Sequence, residues 1–219
     1  ADMVEQKDGV TYLKGTDVPV NSLAGLALAP LLDGRLQFTP ERYAATYRSW
    51  LENLRPWPVS RQLWWGHQIP VWRKRAISIG ADTSSFDPDS GTSMQMDSPF
   101  DDPEYPKLPV QMRDEDGGSF WYICVPPGRP ELEEWLETQG YKRDQDVLDT
   151  WFSSALWPFS TLGWPVETPE LKKFYPGDVL CTAREIITLW VSRMVMMGQY
   201  CAGDIPFSDV FIHANILDG

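Results

Sequence analysis

In Asp178–Gly198, a short apolar run leads directly into a longer one. Val179–Cys181 predict a buried strand. Thr182 stands three residues before Glu185, the spacing of a capping box, in which each side chain accepts a hydrogen bond from the first helical turn. The following apolar residues lie on almost every side of a helix: Ile186, Ile187, Leu189, Trp190, Val191, Met194, Val195, Met196 and Met197. Such a helix is expected to be buried.

A buried strand that leads into a buried helix is the repeating unit of a parallel α/β sheet. Ligands of these sheets bind at the carboxyl ends of the strands. We therefore expect Thr182–Glu185 to border any site. A further buried strand is predicted at Asp209–Ala214, with Val210, Phe211 and Ile212 at its centre.

Threonine, proline and glutamate in succession predict two helix starts, with the threonine as N-cap and the proline in the first turn. The first helix is expected over Thr39–Leu54. Its apolar residues share one face: Tyr43, Tyr47, Trp50, Leu51 and Leu54. The second begins at Thr168 and ends before Pro176-Gly177. Residues 1–38 show no clear pattern.

Prolines exclude a helix from Arg55–Trp72, which is expected to be extended with a turn at Gly66. Residues 73–145 resemble an insertion with α+β character. A strand is possible at Lys74–Gly80, and Ala81–Gly118 is expected to be mostly loop because it is rich in Ser, Asp, Pro and Gly.

The later part of the insertion has a clearer pattern. Phe120–Val125 has the composition of a strand. Pro130–Gln139 predicts a short helix that presents Leu132, Trp135 and Leu136 on one face and ends at Gly140. The sequence then returns to aromatic density in Asp146–Pro165, where a strand followed by a turn or short helix is expected.

Composition narrows the class of function. The formal net charge of −12 argues against a nucleic-acid-binding module, which would carry a basic patch. The three cysteines are widely spaced, which disfavours a zinc site or a disulfide framework and favours a reducing cytoplasm. No apolar run is long enough to span a membrane, and the first residues do not have the pattern of a signal peptide. Both ends of the sequence suggest a piece of a longer protein.

Three motifs resemble one family. They are Trp50–Arg55 running into Ser60–Trp72, then Asp146–Pro158 with its Asp-Thr-Trp-Phe-Ser-Ser run, and Trp190–Gly198. Their order, their spacing and the Trp64-Trp65 pair are similar to the catalytic domain of the valyl-tRNA synthetases, which are class I aminoacyl-tRNA synthetases. The resemblance extends from about Phe38 to the end of the sequence.

The resemblance implies an α/β fold, the second half of a doubly wound, Rossmann-like parallel sheet. Residues 1–38 would lie near the exit from the editing insertion, 39–72 and 146–219 would form the catalytic half, and 73–145 would be an inserted α+β subdomain. Relatives often bind zinc in that subdomain through cysteine pairs. This sequence has none there, so no metal is expected.

The family's two signature motifs are not in this sequence. The His-x-Gly-His motif would lie before residue 1, and the Lys-Met-Ser-Lys-Ser loop would begin just after Gly219. The editing and anticodon-binding domains would also be elsewhere in the parent. The sequence is therefore interpreted as a fragment that does not form adenylate alone and cannot edit.

The resemblance also implies site residues. Trp65, Ile186 and Trp190 match walls of the valine pocket, although the residues alone also allow Trp65 and Trp190 to be ordinary core. ATP or adenylate contacts match a further group: Ala183, Glu185, His213 and Ala214. Glu185 has a competing role in the capping box, and His213 has a competing structural role. Ala183 and Ala214 stand where relatives often have glycine.

Other residues of these motifs are expected to be structural. Asp149, Thr150 and Trp151 are predicted to fix the sheet beneath the site. Ser60, Arg61 and Gln62 are predicted to form a structural network rather than to take part in catalysis. The methionines of the buried helix are expected to fill the core.

The parent activity implied by the resemblance is valine–tRNA ligase, with valine, ATP with Mg²⁺ and tRNA(Val) as substrates. One alternative is a non-catalytic synthetase paralogue that acts as a protein-interaction module. Another is an unrelated nucleotide-binding α/β enzyme. An apolar sheet edge and face left uncovered by missing strands would allow the isolated fragment to self-associate.

Overall fold

The computed structural model describes residues 3–76, 93–97, 107–115 and 118–215. The chain divides into two compact units. Unit 1 is Ala1–Val59 with Asp149–Gly219, and unit 2 is Ser60–Leu148. Most of the predicted Lys74–Gly80 strand and much of the predicted Ala81–Gly118 loop lie outside the described residues.

Unit 1 contains a parallel sheet with helices beside it. Its elements in chain order are β1 (Val4–Lys7), β2 (Val10–Leu13), α1 (Leu23–Leu32), β3 (Gln37–Thr39), α2 (Arg42–Glu52), α4 (Thr150–Ser160), α5 (Pro169–Phe174), β11 (Gly177–Thr182), α6 (Ser192–Met197) and β12 (Phe207–Ile212). Strand β12 lies between β11 and β3 and is parallel to both. The predicted parallel α/β fold is confirmed.

Only one face of this sheet is covered by the described residues. Leu180, Val210 and Ile212 are buried, whereas Val179 is 64% and Phe211 is 46% exposed. The two predicted strands are present, but the prediction that they are buried is wrong for one of their faces. Side chains alternate between the faces of a strand, and the helices of unit 1 pack on one of them.

A composite helix crosses the core of unit 1. It consists of a 3₁₀ turn (Arg184–Ile186), a π-helical turn (Ile187–Val191), α6 and a second π-helical turn (Gly198–Ala202). Every residue of α6 is buried. The predicted buried helix is confirmed, and so is the core position of its methionines.

Helix α2 begins three residues later than predicted. Thr39 lies in β3, where it pairs with Phe211 of β12, and the helix begins only at Arg42. Thr39, which was expected to cap the helix, pairs within the sheet instead. The predicted apolar face of α2 is confirmed because Tyr47 and Leu51 are buried and the other members of the face pack against the same core.

The two helices of the later part of unit 1 have local N-caps. Asp149 accepts a hydrogen bond from the Trp151 backbone N–H, which starts the eleven-residue helix α4 where only a turn or short helix was predicted. Thr168 Oγ1 accepts from the Leu171 N–H at 3.0 Å, as expected of the predicted cap of α5.

Unit 2 is an antiparallel α+β unit. Its elements are β4 (Ser60–Arg61), β5 (Val71–Arg75), β6 (Ser93–Asp97), β7 (Lys107–Glu115), β8 (Gly118–Cys124), α3 (Pro130–Thr138), β9 (Lys142–Arg143) and β10 (Val147–Leu148). Five strands form one sheet in the order β6-β7-β8-β5-β9, and β4 pairs with β10. The strand predicted at Phe120–Val125 and the helix predicted at Pro130–Gln139 are confirmed, with Gly140 in the left-handed region just after the helix.

The prediction that Ala81–Gly118 is mostly loop is wrong for β6 and β7. Leu108 and Val110 are buried, and Leu108–Val110 alternates as a strand does. Pairing of β7 with β6 and β8 overrides the polar and proline-rich local composition. The core of unit 2 is formed by Trp72, Leu108, Val110, Ile123, Val125, Leu132 and Leu136.

Candidate functional site

Trp190 lies half-buried in unit 1, on the π-helical turn of the composite helix. Its indole Nε1 donates a hydrogen bond to the Ser154 carbonyl oxygen of α4 at 3.0 Å. Its ring packs at 46° to that of Trp157, with the ring centroids 5.9 Å apart. Ile186, half-buried, ends the preceding 3₁₀ turn. Both predicted pocket residues are therefore only partly enclosed by unit 1.

Two side chains bond to carbonyls of the π-helical turn. Ser192 Oγ donates to the Thr188 carbonyl oxygen at 2.8 Å. Arg193 Nη1 donates to the Leu189 carbonyl oxygen at 2.7 Å. Both side chains thus bond back to carbonyls four residues earlier, on the turn that carries Trp190.

Behind this turn, unit 1 contains a polar group that we call the Trp57 cluster, formed by Trp57, Asp149 and Arg193. The Arg193 guanidinium lies 4.1 Å from the Trp57 ring centroid. Trp57 Nε1 donates to Asp149 Oδ2 at 2.8 Å. Arg193 is only 9% and Asp149 only 6% exposed. The prediction for Asp149 concerned the sheet, whereas its observed contacts are with Trp57 and the start of α4.

The sequence contained a signal for this cluster that the interpretation missed. Arg193 stands inside an otherwise apolar helix, and charged side chains are almost never buried without partners. Its partner Trp57 lies far away in sequence, between two prolines. The spacing of residues along the chain does not reveal such a contact.

The capping box predicted for Thr182 and Glu185 is wrong. Thr182 ends β11, and its carbonyl oxygen accepts from the His213 N–H at 3.1 Å. The 3₁₀ turn follows Ala183 without a side-chain cap. Glu185 instead accepts from Asn215 Nδ2 at 2.5 Å and from Arg184 Nε at 3.1 Å. The Asn215 bond, followed by the backbone N–H of Glu185 and by Arg184, lowers the pKa of the Glu185 carboxyl.

The residues predicted for the adenylate side lie at the carboxyl ends of the two strands. Ala183 follows β11, and His213 and Ala214 follow β12. His213 is exposed, with Nδ1 3.0 Å from the Ala214 carbonyl oxygen. The Glu185–Asn215 bond links the two strand ends. The structure thus brings these four residues to one edge of the parallel sheet, where such sheets bind ligands.

Trp65, the third predicted pocket residue, belongs to unit 2 and is 80% exposed. It is therefore not part of the core of unit 2. The adjacent Trp64 is exposed as well. Two neighbouring indoles left in solvent are unusual, because most tryptophans are largely buried.

The structural network predicted for Ser60, Arg61 and Gln62 lies within unit 2, where Arg61 Nη1 donates to the Ser60 carbonyl oxygen at 2.8 Å. Ser60 and Gln62 share a further partner. Both donate hydrogen bonds to Asp146 Oδ2, Gln62 Nε2 at 2.7 Å and Ser60 through its hydroxyl. These bonds lower the pKa of the Asp146 carboxyl. These contacts connect the segment between β9 and β10 to β4. The network therefore has a structural role.

No group of three or more His, Cys, Asp or Glu side chains in the described part of the chain is arranged to hold a metal ion. Among the same residues, no helix is long and apolar enough to cross a membrane. The three cysteines are free thiols, of which Cys181 is exposed.

Comparison with known proteins decides the family. Residues 18–219 match the model of the class I tRNA synthetases for isoleucine, leucine, methionine and valine. The chain belongs to the class I tRNA synthetases. The match begins about twenty residues before Phe38, so the resemblance in sequence covers α1 and β3 of this synthetase chain as well.

Individual relatives agree with the family. This synthetase chain is 45% identical to the valine–tRNA ligase of Rhodopirellula baltica over 92% of its length and 40% identical to that of Thermosynechococcus vestitus over 98%. It spans 19% and 22% of those two proteins. A methionyl-tRNA synthetase of Mycobacterium tuberculosis, solved with methionyl-adenylate, has a TM-score of 0.47 at 13% identity, covering 96% of this chain and 30% of that chain.

Proposed function

We propose that the chain is part of a valine–tRNA ligase and supplies the valine pocket and part of the adenosine site. The observation that carries this proposal is the 45% identity to a valine–tRNA ligase over 92% of the chain. A non-catalytic interaction module receives no support from a specific contact or surface described above.

We propose Trp65, Ile186 and Trp190, on the sequence resemblance, as the residues that contact the valine side chain. Valine needs a small and rigid apolar slot, and an indole whose polar edge is already bonded offers a stiff apolar face. The bond from Trp190 Nε1 to Ser154 leaves the indole with one fixed orientation. A pocket of this type rejects threonine, which has a hydroxyl in place of one methyl group of valine, only weakly. The valine enzyme is itself a known example of this limit. We therefore assign editing to another part of the parent.

The polar side is formed by Ala183, Glu185, His213 and Ala214. Because the pKa of Glu185 is lowered, its carboxylate is charged at neutral pH and accepts from donor groups. The proposed ligand groups are the α-amino group of valine and the ribose hydroxyls of the adenosine. The methyl groups of Ala183 and Ala214 limit how closely a ligand can approach the backbone at these two positions, which glycine would not do.

The proposed reaction begins when a valine carboxylate oxygen forms a bond to the α-phosphorus of ATP and pyrophosphate leaves. The aminoacyl group then passes from the adenylate to a hydroxyl at the end of tRNA(Val), and AMP leaves. The protein contributes chiefly by positioning and by electrostatic stabilisation. The Mg²⁺ that accompanies ATP is proposed as a cofactor of the parent enzyme. We place the parent reaction in the cytoplasm.

The first experiment measures valine-dependent ATP–pyrophosphate exchange by the complete protein encoded by the reading frame that contains this sequence. Exchange with valine, well above that with isoleucine, leucine or methionine, is expected. The 219-residue chain alone is expected to show none. Lack of valine-dependent exchange by the complete protein would contradict the proposal.

The second experiment measures binding of a non-hydrolysable valyl-adenylate analogue to the complete protein. Trp65→Ala and Trp190→Ala are expected to weaken it by about 10-fold or more, since a buried aromatic contact contributes more than 1.4 kcal/mol. Trp64→Ala is the matched control for Trp65→Ala and should bind normally. Unchanged affinity in both pocket variants would contradict the assignment.

A further inference from the structure

The position of Trp190 depends on contacts of its indole N–H and of the backbone next to it. Its indole Nε1 is held by the Ser154 carbonyl oxygen of α4, and α4 itself starts at the Asp149 cap. The backbone just before Trp190 is held by Arg193, through the bond from Nη1 to the Leu189 carbonyl oxygen. The two supports of the indole therefore originate at Asp149 and Arg193.

Trp57 joins these two supports. Its Nε1 bonds to Asp149, and its ring lies beneath the Arg193 guanidinium. Exclusion from water strengthens these interactions, because Asp149 and Arg193 are both buried. The indole contacts the guanidinium with its face and the carboxylate with its N–H edge, and so fixes the two groups relative to each other.

We propose that Trp57, Asp149 and Arg193 are positioning residues for the valine pocket, acting through Trp190. The inference rests on the proposed function, since it assigns a task to a residue of the proposed pocket wall. Arg193 supports the backbone of the π-helical turn through its bond to the Leu189 carbonyl oxygen. Conversion of that turn to a regular α-helix changes the number of residues in the turn and rotates Trp190 about the helix axis. Small displacements of positioning groups have large effects on reaction rates.

The first test uses the complete protein labelled with 5-fluorotryptophan, with the Trp190 resonance assigned by its loss in Trp190→Phe. Arg193→Lys keeps the charge but loses the planar fork of donors. It is expected to shift the Trp190 ¹⁹F resonance while the resonances of Trp72 and Trp121 in unit 2 stay in place. An unmoved Trp190 resonance would overturn the inference, whatever the activity of the protein.

The second test measures the KM values of valine and ATP in pyrophosphate exchange. Arg193→Lys and the milder Trp57→Phe, which removes the bond to Asp149 and keeps the ring, should raise the KM for valine by about 10-fold and that for ATP by less than about 2-fold. Equal increases in both constants, or a loss of kcat alone, would indicate a merely structural role and overturn the inference.

Arg143→Lys is the matched control. Arg143 also lies over a tryptophan, Trp72, and bonds to a carboxylate, but it belongs to unit 2. It should leave both KM values unchanged. If the Trp190 resonance moves in Arg193→Lys while the wild-type protein shows no valine-dependent exchange, the positioning of Trp190 stands and the proposed function is the part that fails.

Discussion

Units 1 and 2 each place an arginine over a tryptophan beside a carboxylate, but in opposite environments. In the Trp57 cluster the arginine lies 4.1 Å from the ring centroid and the indole N–H is bonded to Asp149. In the Trp72 cluster (Trp72, Arg143 and Glu133) the arginine lies 6.0 Å from the ring, and its bond to Glu133 is 3.3 Å long.

Burial explains the difference between the two clusters. Asp149 and Arg193 are buried, whereas the Arg143 and Glu133 side chains are 30% and 37% exposed. In unit 2 it is the tryptophan that is buried, and Trp72 Nε1 has no hydrogen-bond partner among the described residues. The same three kinds of group, an indole, a guanidinium and a carboxylate, thus act mainly through polar contacts in unit 1 and mainly through apolar burial in unit 2.

The largest expected effect removes the buried tryptophan of unit 2. Trp72→Ala should lower the free energy of unfolding of unit 2 by about 3–5 kcal/mol, because it leaves a cavity in the core. Amide hydrogen exchange, resolved by residue, would assign the loss to β5, β8 and α3. Protection that is lost equally in α2 and α6 would contradict the separate cores of the two units.

The next effect removes the buried carboxylate of unit 1. Asp149→Ala should cost about 3 kcal/mol, since it removes both the cap of α4 and a charge-assisted bond from Trp57. Glu133→Ala is the matched control in unit 2 and should cost less than about 1 kcal/mol, as for an exposed ion pair. Denaturant unfolding measures both. Equal losses would refute the contrast between a buried and an exposed carboxylate.

A smaller effect compares the two indole N–H groups. Trp57→Phe should cost about 2 kcal/mol because it leaves Asp149 without that donor. Trp72→Phe removes an N–H that has no partner among the described residues, so only the smaller ring volume counts and the loss should be about 1 kcal/mol. The difference between the two free energies of unfolding is the measurement, and a larger loss in Trp72→Phe would reverse the comparison.

The comparison also explains what sequence could predict. Local signals identified α3, α5, the buried composite helix and the apolar face of α2, because caps and periodicity act within a few residues. The parallel sheet followed from the pattern of apolar runs. The resemblance to a family supplied the candidate site residues, which composition and spacing would not have selected.

The failures concern contacts between distant segments. Thr39 and Thr182 have the pattern of N-caps, but each lies in a strand whose pairing partner is in β12. Glu185 bonds to Asn215 and does not form the predicted capping box with Thr182. The Trp57–Asp149 bond joins residues 92 positions apart. A pattern that is read within one turn or one strand carries no information about such partners.

The smallest expected effect concerns the acid stability that the half-buried Asp146 carboxylate gives to unit 2. Hydrogen bonds from Ser60 and Gln62 lower the pKa of Asp146 in the folded protein. The stability from these bonds is fully present above the pKa of the unfolded state, about 4, and is lost as the pH falls through the lower folded pKa.

The denaturant midpoint of unit 2 should therefore fall more steeply below pH 4 in the wild type than in Asp146→Asn. Glu185→Gln, whose wild-type carboxyl also has a lowered pKa, should reduce the acid dependence of unit 1 alone. If Asp146→Asn leaves the acid dependence of unit 2 unchanged, its bonds to Ser60 and Gln62 contribute nothing to folding, and the polar network of unit 2 has no counterpart to the stabilising role of Asp149 in unit 1.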